Sequence, residues 1–473
     1  MSSTARKLMS ASGAGAGEVL NVEDVFSTYL YTGNNNGSSA GPNPTHAITN
    51  GINLADEGGL VWLKARDSNP YSNNHFLLSS ADNYANVLFS NNTDASSNAG
   101  QYIIDSVQET GFTLGYYGWT NYTDDLMASW TFRKAPKFFD VVTYTGNGSS
   151  QNLSHNLGTI PGCVVFKRTD SSTNWLVWHR NINGTDADGS IKLNSTAAKQ
   201  NGQPWDWDGV TDTYFPLTSD WTEVNASGGT YVAYFFAHND GDGDFGPDGD
   251  ADIIKCGSYT GDGTEDGSNV VDLGFEPQWV LVKNTSSSWG WVLQDNMRGL
   301  TVSSNSEPFL SPDSSAAESS FAGGIDPTST GFALRTDTPY LNTSGDTYIY
   351  IAIRRGTKVP ESATEVFAID EGDGVGAVSA YTSGFPVDFA IDRTATGTSP
   401  NYVGTRLLQG TRLQTNDNNA EASESAYYFD YMEGWRKFSR AAGNYSWMWK
   451  RAPKYFDVVA YTGNQTAGRT VTH

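Results

Sequence analysis

Cysteine is nearly absent from the 473 residues: Cys163 and Cys256 are the only two, and neither stands in a C-x-x-C or metal-ligand spacing. That excludes a disulfide-stapled secreted scaffold and a cysteine-ligated zinc module. Histidine is sparse too, and His46, His75, His155, His179, His238 and His473 fall in no triad or zinc-ligand spacing. No G-x-S-x-G, H-E-x-x-H or P-loop motif is present. With no constellation to carry catalysis and no nucleotide or flavin signature, the chain reads as a non-enzyme without an organic cofactor. No apolar run approaches the roughly 18–20 residues of a transmembrane helix, which argues against membrane insertion. Positive charge is scarce as well: 29 Lys+Arg face 52 Asp+Glu, a net charge of -23. Such a surface repels phosphate backbones, so nucleic acid is not an expected partner. Arg6 and Lys7 begin the chain as a signal peptide would, but no apolar stretch follows them. A composition of extracellular type without an export signal fits a protein released by cell lysis, such as a virion component.

Glycine and aromatic side chains are plentiful, at 50 Gly and 13% Phe, Trp and Tyr. An acidic chain this aromatic can bury enough apolar surface to fold. Its length corresponds to about three to five domains. Internal repeats divide it further. The block Trp130-Thr-Phe-Arg-Lys-Ala-Pro-Lys-Phe-Phe-Asp-Val-Val-Thr-Tyr-Thr-Gly-Asn147 returns as Trp447-Met-Trp-Lys-Arg-Ala-Pro-Lys-Tyr-Phe-Asp-Val-Val-Ala-Tyr-Thr-Gly-Asn464. Tyr-Thr-Gly begins at Tyr31, Tyr144, Tyr259 and Tyr461, with a decayed Gly372-Asp-Gly374 between the last two. Each start is followed by an apolar run ending in a basic residue, at Lys64, Lys167, Lys283 and, more weakly, Arg393. The expected organisation is an N-terminal attachment segment (1–22), modules 1 to 4 (23–138, 139–251, 252–360 and a divergent 361–453), and the start of a fifth module (454–473). On that reading the natural polypeptide continues past residue 473.

The apolar runs are four to six residues long, rich in Val, Ile, Tyr, Phe and Trp, and bounded by Gly, Asn, Asp and Ser. No long segment carries a 3.6-residue period. The fold class is therefore all-β, a tandem array of about four homologous β-sandwich or jelly-roll-like modules. Along Tyr348–Ile353 both faces are apolar, so this strand is expected to be covered on both sides.

Two motifs invite chemical readings. Asp240, Asp242, Asp244, Asp248 and Asp250 alternate with glycines and could fold back on a calcium ion, the first three keeping the spacing of an EF-hand loop. Phe245 and Ala251 depart from that loop at its Gly and Glu positions, and a solvated linker between modules 2 and 3 is the alternative. In Pro204-Trp-Asp-Trp-Asp208 an extended backbone would place Trp205 and Trp207 on one face, as a carbohydrate platform or as ordinary core. Arg133-Lys134-Ala-Pro136 and Lys450-Arg451-Ala-Pro453 sit at module junctions, where the basic pairs would orient acidic neighbours.

At Asp24–Gly33, Gly58–Lys64, Trp130–Gly148 and Gly246–Asp250 the chain resembles repeat-containing, tail-fibre-like virion structural proteins of tailed bacteriophages of marine bacteria, including cyanophages. The resemblance implies a structural role in the particle. Residues 1–22 would dock onto other virion proteins, and serial β modules would project as a shaft toward the host surface. By analogy with fibres of that class a homotrimer is expected, with a host-surface glycan as possible ligand. A capsid-surface decoration or lectin-like glycan-binding protein is the alternative.

Overall fold

The computed structural model describes the chain apart from residues 1–18, 36–44, 71–72, 185–187, 303–305, 373–377, 395–399, 426, 439–442, 462–466, 469 and 472–473. Most of the expected attachment segment, part of the decayed repeat at Gly372–Gly374 and much of the expected fifth-module start thus lie outside the described residues.

The described residues form an all-β protein whose sheets are antiparallel throughout. In each module the first strand lies beside the last, and the last beside the strand that ends in the basic residue. Module 1 orders them as Phe26–Thr32, Leu126–Arg133 and Gly59–Ala65, module 2 as Phe139–Thr145, Thr230–Phe236 and Cys163–Arg168. Module 3 repeats this with Ile254–Thr260, Thr347–Arg354 and Pro277–Asn284, module 4 with Phe367–Asp370, Asn444–Trp449 and Phe389–Thr394. A smaller sheet covers one face of each, for example His46–Thr49, Gly111–Leu114 and Ile104–Gln108 in module 1.

The strand registers make the modules superposable residue by residue. Trp62 lies opposite Trp130, Val165 opposite Tyr234, Leu281 opposite Ile351, and Ile391 opposite Trp447. Because side chains alternate across a strand, each main sheet has two faces. One closes the module's own sandwich: Val61, Leu63 and Met127 in module 1, Val280, Val282, Tyr348 and Tyr350 in module 3. The other would face solvent in an array of beads.

Modules 1 to 3 do not run in series. Their outer sheet faces meet in one continuous core built from Trp62, Trp130 and Phe132, from Val165, Tyr234 and Phe236, and from Trp279, Leu281, Ile351 and Ile353. Phe132 touches Phe236 edge-on at 5.6 Å and Trp279 at 5.8 Å, so rings from all three modules meet. The expected shaft of serial modules is corrected here to a closed ring of three. The physical reason is the apolar character of both sheet faces: one small covering sheet hides only one of them, and the remaining surface is removed from water by packing modules together.

Candidate functional site

The sequence-derived candidates resolve into structural parts. Asp240, Asp242, Asp244, Asp248 and Asp250 are all exposed, and among the described residues no three or more acidic, His or Cys side chains converge to hold a metal ion. The expected calcium site is corrected accordingly, because the protein brings its own cations. Lys137 Nζ reaches Asp244 and the carbonyl of Asp242, each at 2.7 Å, and Lys255 Nζ lies 3.4 Å from Asp240 and 3.5 Å from Asp252. The linker reading is corrected too. Asp252 accepts the N–H groups of Gly241 at 2.8 Å and Gly243 at 3.0 Å, and Phe245 is buried as the plug of the loop. Phe245 bridges to Ala251 and to Leu20, whose carbonyl accepts Gly246 N–H at 2.8 Å.

That contact also moves the boundary of the attachment segment. Val22 is fully buried and donates its N–H to Thr357 Oγ1 at 3.1 Å, while Glu23 accepts the N–H groups of Thr357 and Lys358. Residues 19–22 therefore belong to the folded body.

Trp205 is core: it is buried, stacks on Phe166 at 5.8 Å and meets Phe215 edge-on at 5.9 Å. Trp207 opens a one-turn helix, Trp207–Gly209, and packs half-buried against the same core. The two do not form a paired platform, since the chain turns at Asp206 where a continuous strand was expected. Their assignment as a carbohydrate site is corrected to packing. At the junctions, Arg133 pairs with Glu57 at 3.1 Å, Lys134 with Asp140 at 3.0 Å, and Arg451 with Glu276 at 2.6 Å.

Polar chemistry concentrates instead where modules touch. Ser96 of module 1 donates its N–H to Thr169 O of module 2 at 2.9 Å. Lys199 of module 2 donates to Thr285 O of module 3 at 3.0 Å, and Glu318 of module 3 donates to Arg66 O of module 1 at 2.7 Å. Each acceptor stands two residues after the basic residue that ends the strand run, so a single contact is used three times around the ring. The basic residues themselves, Lys64, Lys167 and Lys283, are fully buried. Lys167 Nζ donates to Thr93 O of module 1 at 3.0 Å and to Thr173 O at 2.8 Å. Lys283 Nζ donates to Thr196 O of module 2 at 2.9 Å and to Trp289 O, and Lys64 Nζ to Ala65 O at 2.8 Å. Burial lowers each of the three ammonium groups to about 8.

The seam between modules 3 and 1 carries an ionic network. Arg298 and Asp295, both fully buried, pair at 2.7 Å, and Asp295 also accepts the Trp130 indole N–H at 3.0 Å. Arg298 lies over the Trp130 ring and bonds Glu318 at 3.1 Å; Glu318 in turn pairs with Arg66 at 3.0 Å. Arg66 reaches on to Asp430 of module 4 at 3.1 Å, which ties the fourth module to the ring. Burying two ions costs more than one pair returns unless the remaining donors and acceptors are satisfied; here the indole N–H donates to Asp295, and Glu318 and the Leu293 carbonyl accept from Arg298.

Burial pushes the imidazoles of His75, His155, His179 and His238 down, and pushes the thiols of Cys163 and Cys256 up. Glu307 in module 3 is buried beside Asp326, and burial followed by that neighbouring charge pushes its carboxyl up to about 9. A cavity of ≈110 Å³ lies between modules 1 and 2, lined by Leu77, Asp82, Ser96, Thr143 and Tyr234. Among the described residues no helix is long and apolar enough to cross a membrane.

Compared with known proteins, residues 21–355 match a family described as a domain of unknown function (DUF7483). The match starts at Asn21, whose side chain joins the capping box of the helix Val22–Val25, and ends one residue past the last strand of module 3. It therefore spans the three-module ring as one unit. No curated protein and no solved structure matches the chain.

Proposed function

From a chain that belongs to the DUF7483 family, whose description assigns no activity, we propose a non-enzymatic virion structural protein: a tail-fibre or appendage component of a bacteriophage particle. The observation that carries the reading is the ring itself. Its functional-looking groups, the strand-end lysines and the Asp295–Arg298 pair, are spent on holding homologous modules together, which is the economy of a building block. The motif resemblance supplies the particle, and the acidic exterior supplies solubility at high copy number. Docking to other virion proteins falls to residues 1–18, since 19–22 are built into the body. Module 4 is joined to the ring through Arg66–Asp430 and Arg451–Glu276.

The test is mass spectrometry of purified particles from a phage carrying the gene intact or lacking codons 1–18. The intact chain should appear in the particle, and the shortened chain should fold yet be lost from it. Absence of the intact chain contradicts the virion reading, and retention of the shortened chain contradicts the attachment assignment.

A lectin-like reading has one observation in its favour. Trp289 is 36% exposed and lies 5.2 Å from Tyr340, beside the stacked pair Phe309 and Phe321. Glycan-array binding abolished by Trp289→Ala would favour it over a purely structural role.

A further inference from the structure

Inside its sandwich, module 4 carries polar side chains at positions where modules 1 and 3 carry apolar ones. Its covering sheet contains Val378–Thr382 and Gly434–Phe438, paired so that Thr382 lies opposite Gly434 and Tyr381 opposite Trp435. The same pairing sets Thr49 opposite Gly111 in module 1 and Asp272 opposite Gly331 in module 3. Tyr381 therefore stands at the position of Ile48 and Val271, and Lys437 at that of Leu114 and Leu334. In the main sheet Asp392 lies opposite Ser446, as Leu63 lies opposite Ser129 and Val282 opposite Tyr350. Ile48, Leu63 and Leu114 belong to one buried apolar core, and Val271, Val282 and Leu334 to another. In module 4 the equivalent place holds an ion pair, Lys437 Nζ on Asp392 Oδ2 at 2.5 Å, and the Tyr381 hydroxyl donates to Asp392 Oδ1. Asp392 and Tyr381 are buried, and the Lys437 ammonium lies over the rings of Tyr402 and Tyr427, 5.7 Å and 5.3 Å from their centres. Glu424, the other carboxylate that bears on Tyr427, pairs with Arg412 at 2.8 Å.

We propose that Lys437 and Asp392 condense to an isopeptide bond that staples the two sheets of module 4. A buried ion pair is a poor replacement for apolar packing, because desolvating both charges costs more than their attraction returns. Condensation removes both charges and leaves a neutral amide. Among the described residues the apolar cluster of module 4 is also the smallest of the four, where a covalent tie stabilises most. The step balances without any oxidant or co-reactant. Out of water, Nζ passes a proton to Oδ2, giving an amine and a carboxylic acid. Nζ then attacks Cγ and the C–N bond forms, while the Tyr381 O–H stabilises the negative charge that develops on Oδ1. A second proton moves from nitrogen to Oδ2, the C–Oδ2 bond breaks, and water leaves. This inference goes beyond the virion reading and does not depend on it.

The experiment is mass spectrometry of the full chain, freshly purified and then denatured. The wild type should weigh one water less than its sequence, and proteolysis should release a branched peptide joining Asp392 to Lys437. Lys437→Arg, which keeps the charge but cannot form the amide, should have the full sequence mass, as should Asp392→Ala. Tyr381→Phe should leave most chains at full mass, and complete cross-linking in that variant would contradict the role given to Tyr381. The wild-type reading needs no variant to fold. A wild type at full sequence mass overturns the proposal, as does a lost water that maps to a succinimide at an Asp-Gly or Asn-Gly step.

Discussion

The backbone N–H of Glu318 donates to the carbonyl of Arg66 at 2.7 Å, joining the third module to the first across 252 residues of sequence. It is the last of three equivalent contacts, after Ser96 to Thr169 and Lys199 to Thr285, and it turns a tandem repeat into a closed ring. Closure explains why aromatic side chains occupy both faces of the main sheets. It also places the most buried ion pair, Asp295 with Arg298, at this seam, where geometry has to be specified as well as surface buried.

Arg298→Met tests the seam. It strips Asp295 of its partner while leaving the carboxylate fully buried, and should destabilise the protein by about 3–5 kcal/mol in chemical denaturation. The double variant Asp295→Leu/Arg298→Met should recover most of that loss, because no isolated charge remains.

The three ring lysines give stability a pH signature. Their folded-state values of about 8 lie below the ordinary 10.5, so between those limits the unfolded chain binds more protons than the folded one. Stability should therefore rise with pH from about 8 toward 10.5. Urea midpoints measured across that window check the sign, and Lys167→Met should reduce the slope.

Glu307 acts in the opposite direction at lower pH. Its folded-state value of about 9 lies above the ordinary 4.5, so the folded state holds the extra proton in between and its contribution to stability is lost as pH rises through that window. Glu307→Gln should flatten this part of the stability profile. An unchanged profile would show that the carboxyl is not held protonated.

In the acidic loop, Lys137 and Lys255 stand where a cation was expected. Adding EDTA should leave the melting temperature unchanged. Asp252→Ala, which orphans the N–H groups of Gly241 and Gly243, should cost about 1–3 kcal/mol. A calcium-dependent rise in melting temperature would contradict the lysine account.

Much of the fold could be read before any coordinates. Val, Ile, Tyr and Trp runs bounded by Gly and Asn became strands, and the related blocks Arg133-Lys-Ala-Pro-Lys137 and Lys450-Arg-Ala-Pro-Lys454 became the same turn, with Lys137 at φ 58° and Lys454 at φ 62°. Ring closure was legible only in part. The two apolar faces of Tyr348–Ile353 announced a second covering layer, but nothing local says whether that layer is a helix, a sheet or another module. Lys64, Lys167 and Lys283 stood out as a repeat marker, yet burial of a lysine depends on carbonyls such as Thr93 O and Thr196 O that lie in the preceding module. Phe245 was the one aromatic residue in an acidic run and the available sign that this loop is pinned. Trp205 and Trp207 were misleading because period-2 alternation describes a binding platform and a core strand equally well.

The central claim is that modules 1 to 3 are one cooperative body, and hydrogen exchange of the full chain with Trp130→Ala tests it most directly. Trp130 is fully buried at the centre of the shared core, so its truncation should cost about 3–5 kcal/mol. Protection should fall together in the strands Leu126–Arg133, Thr230–Phe236 and Thr347–Arg354, one from each module. Loss confined to Leu126–Arg133 and its own sheet, with the other two strands unchanged, would mean that the modules unfold as separate beads and would contradict the ring.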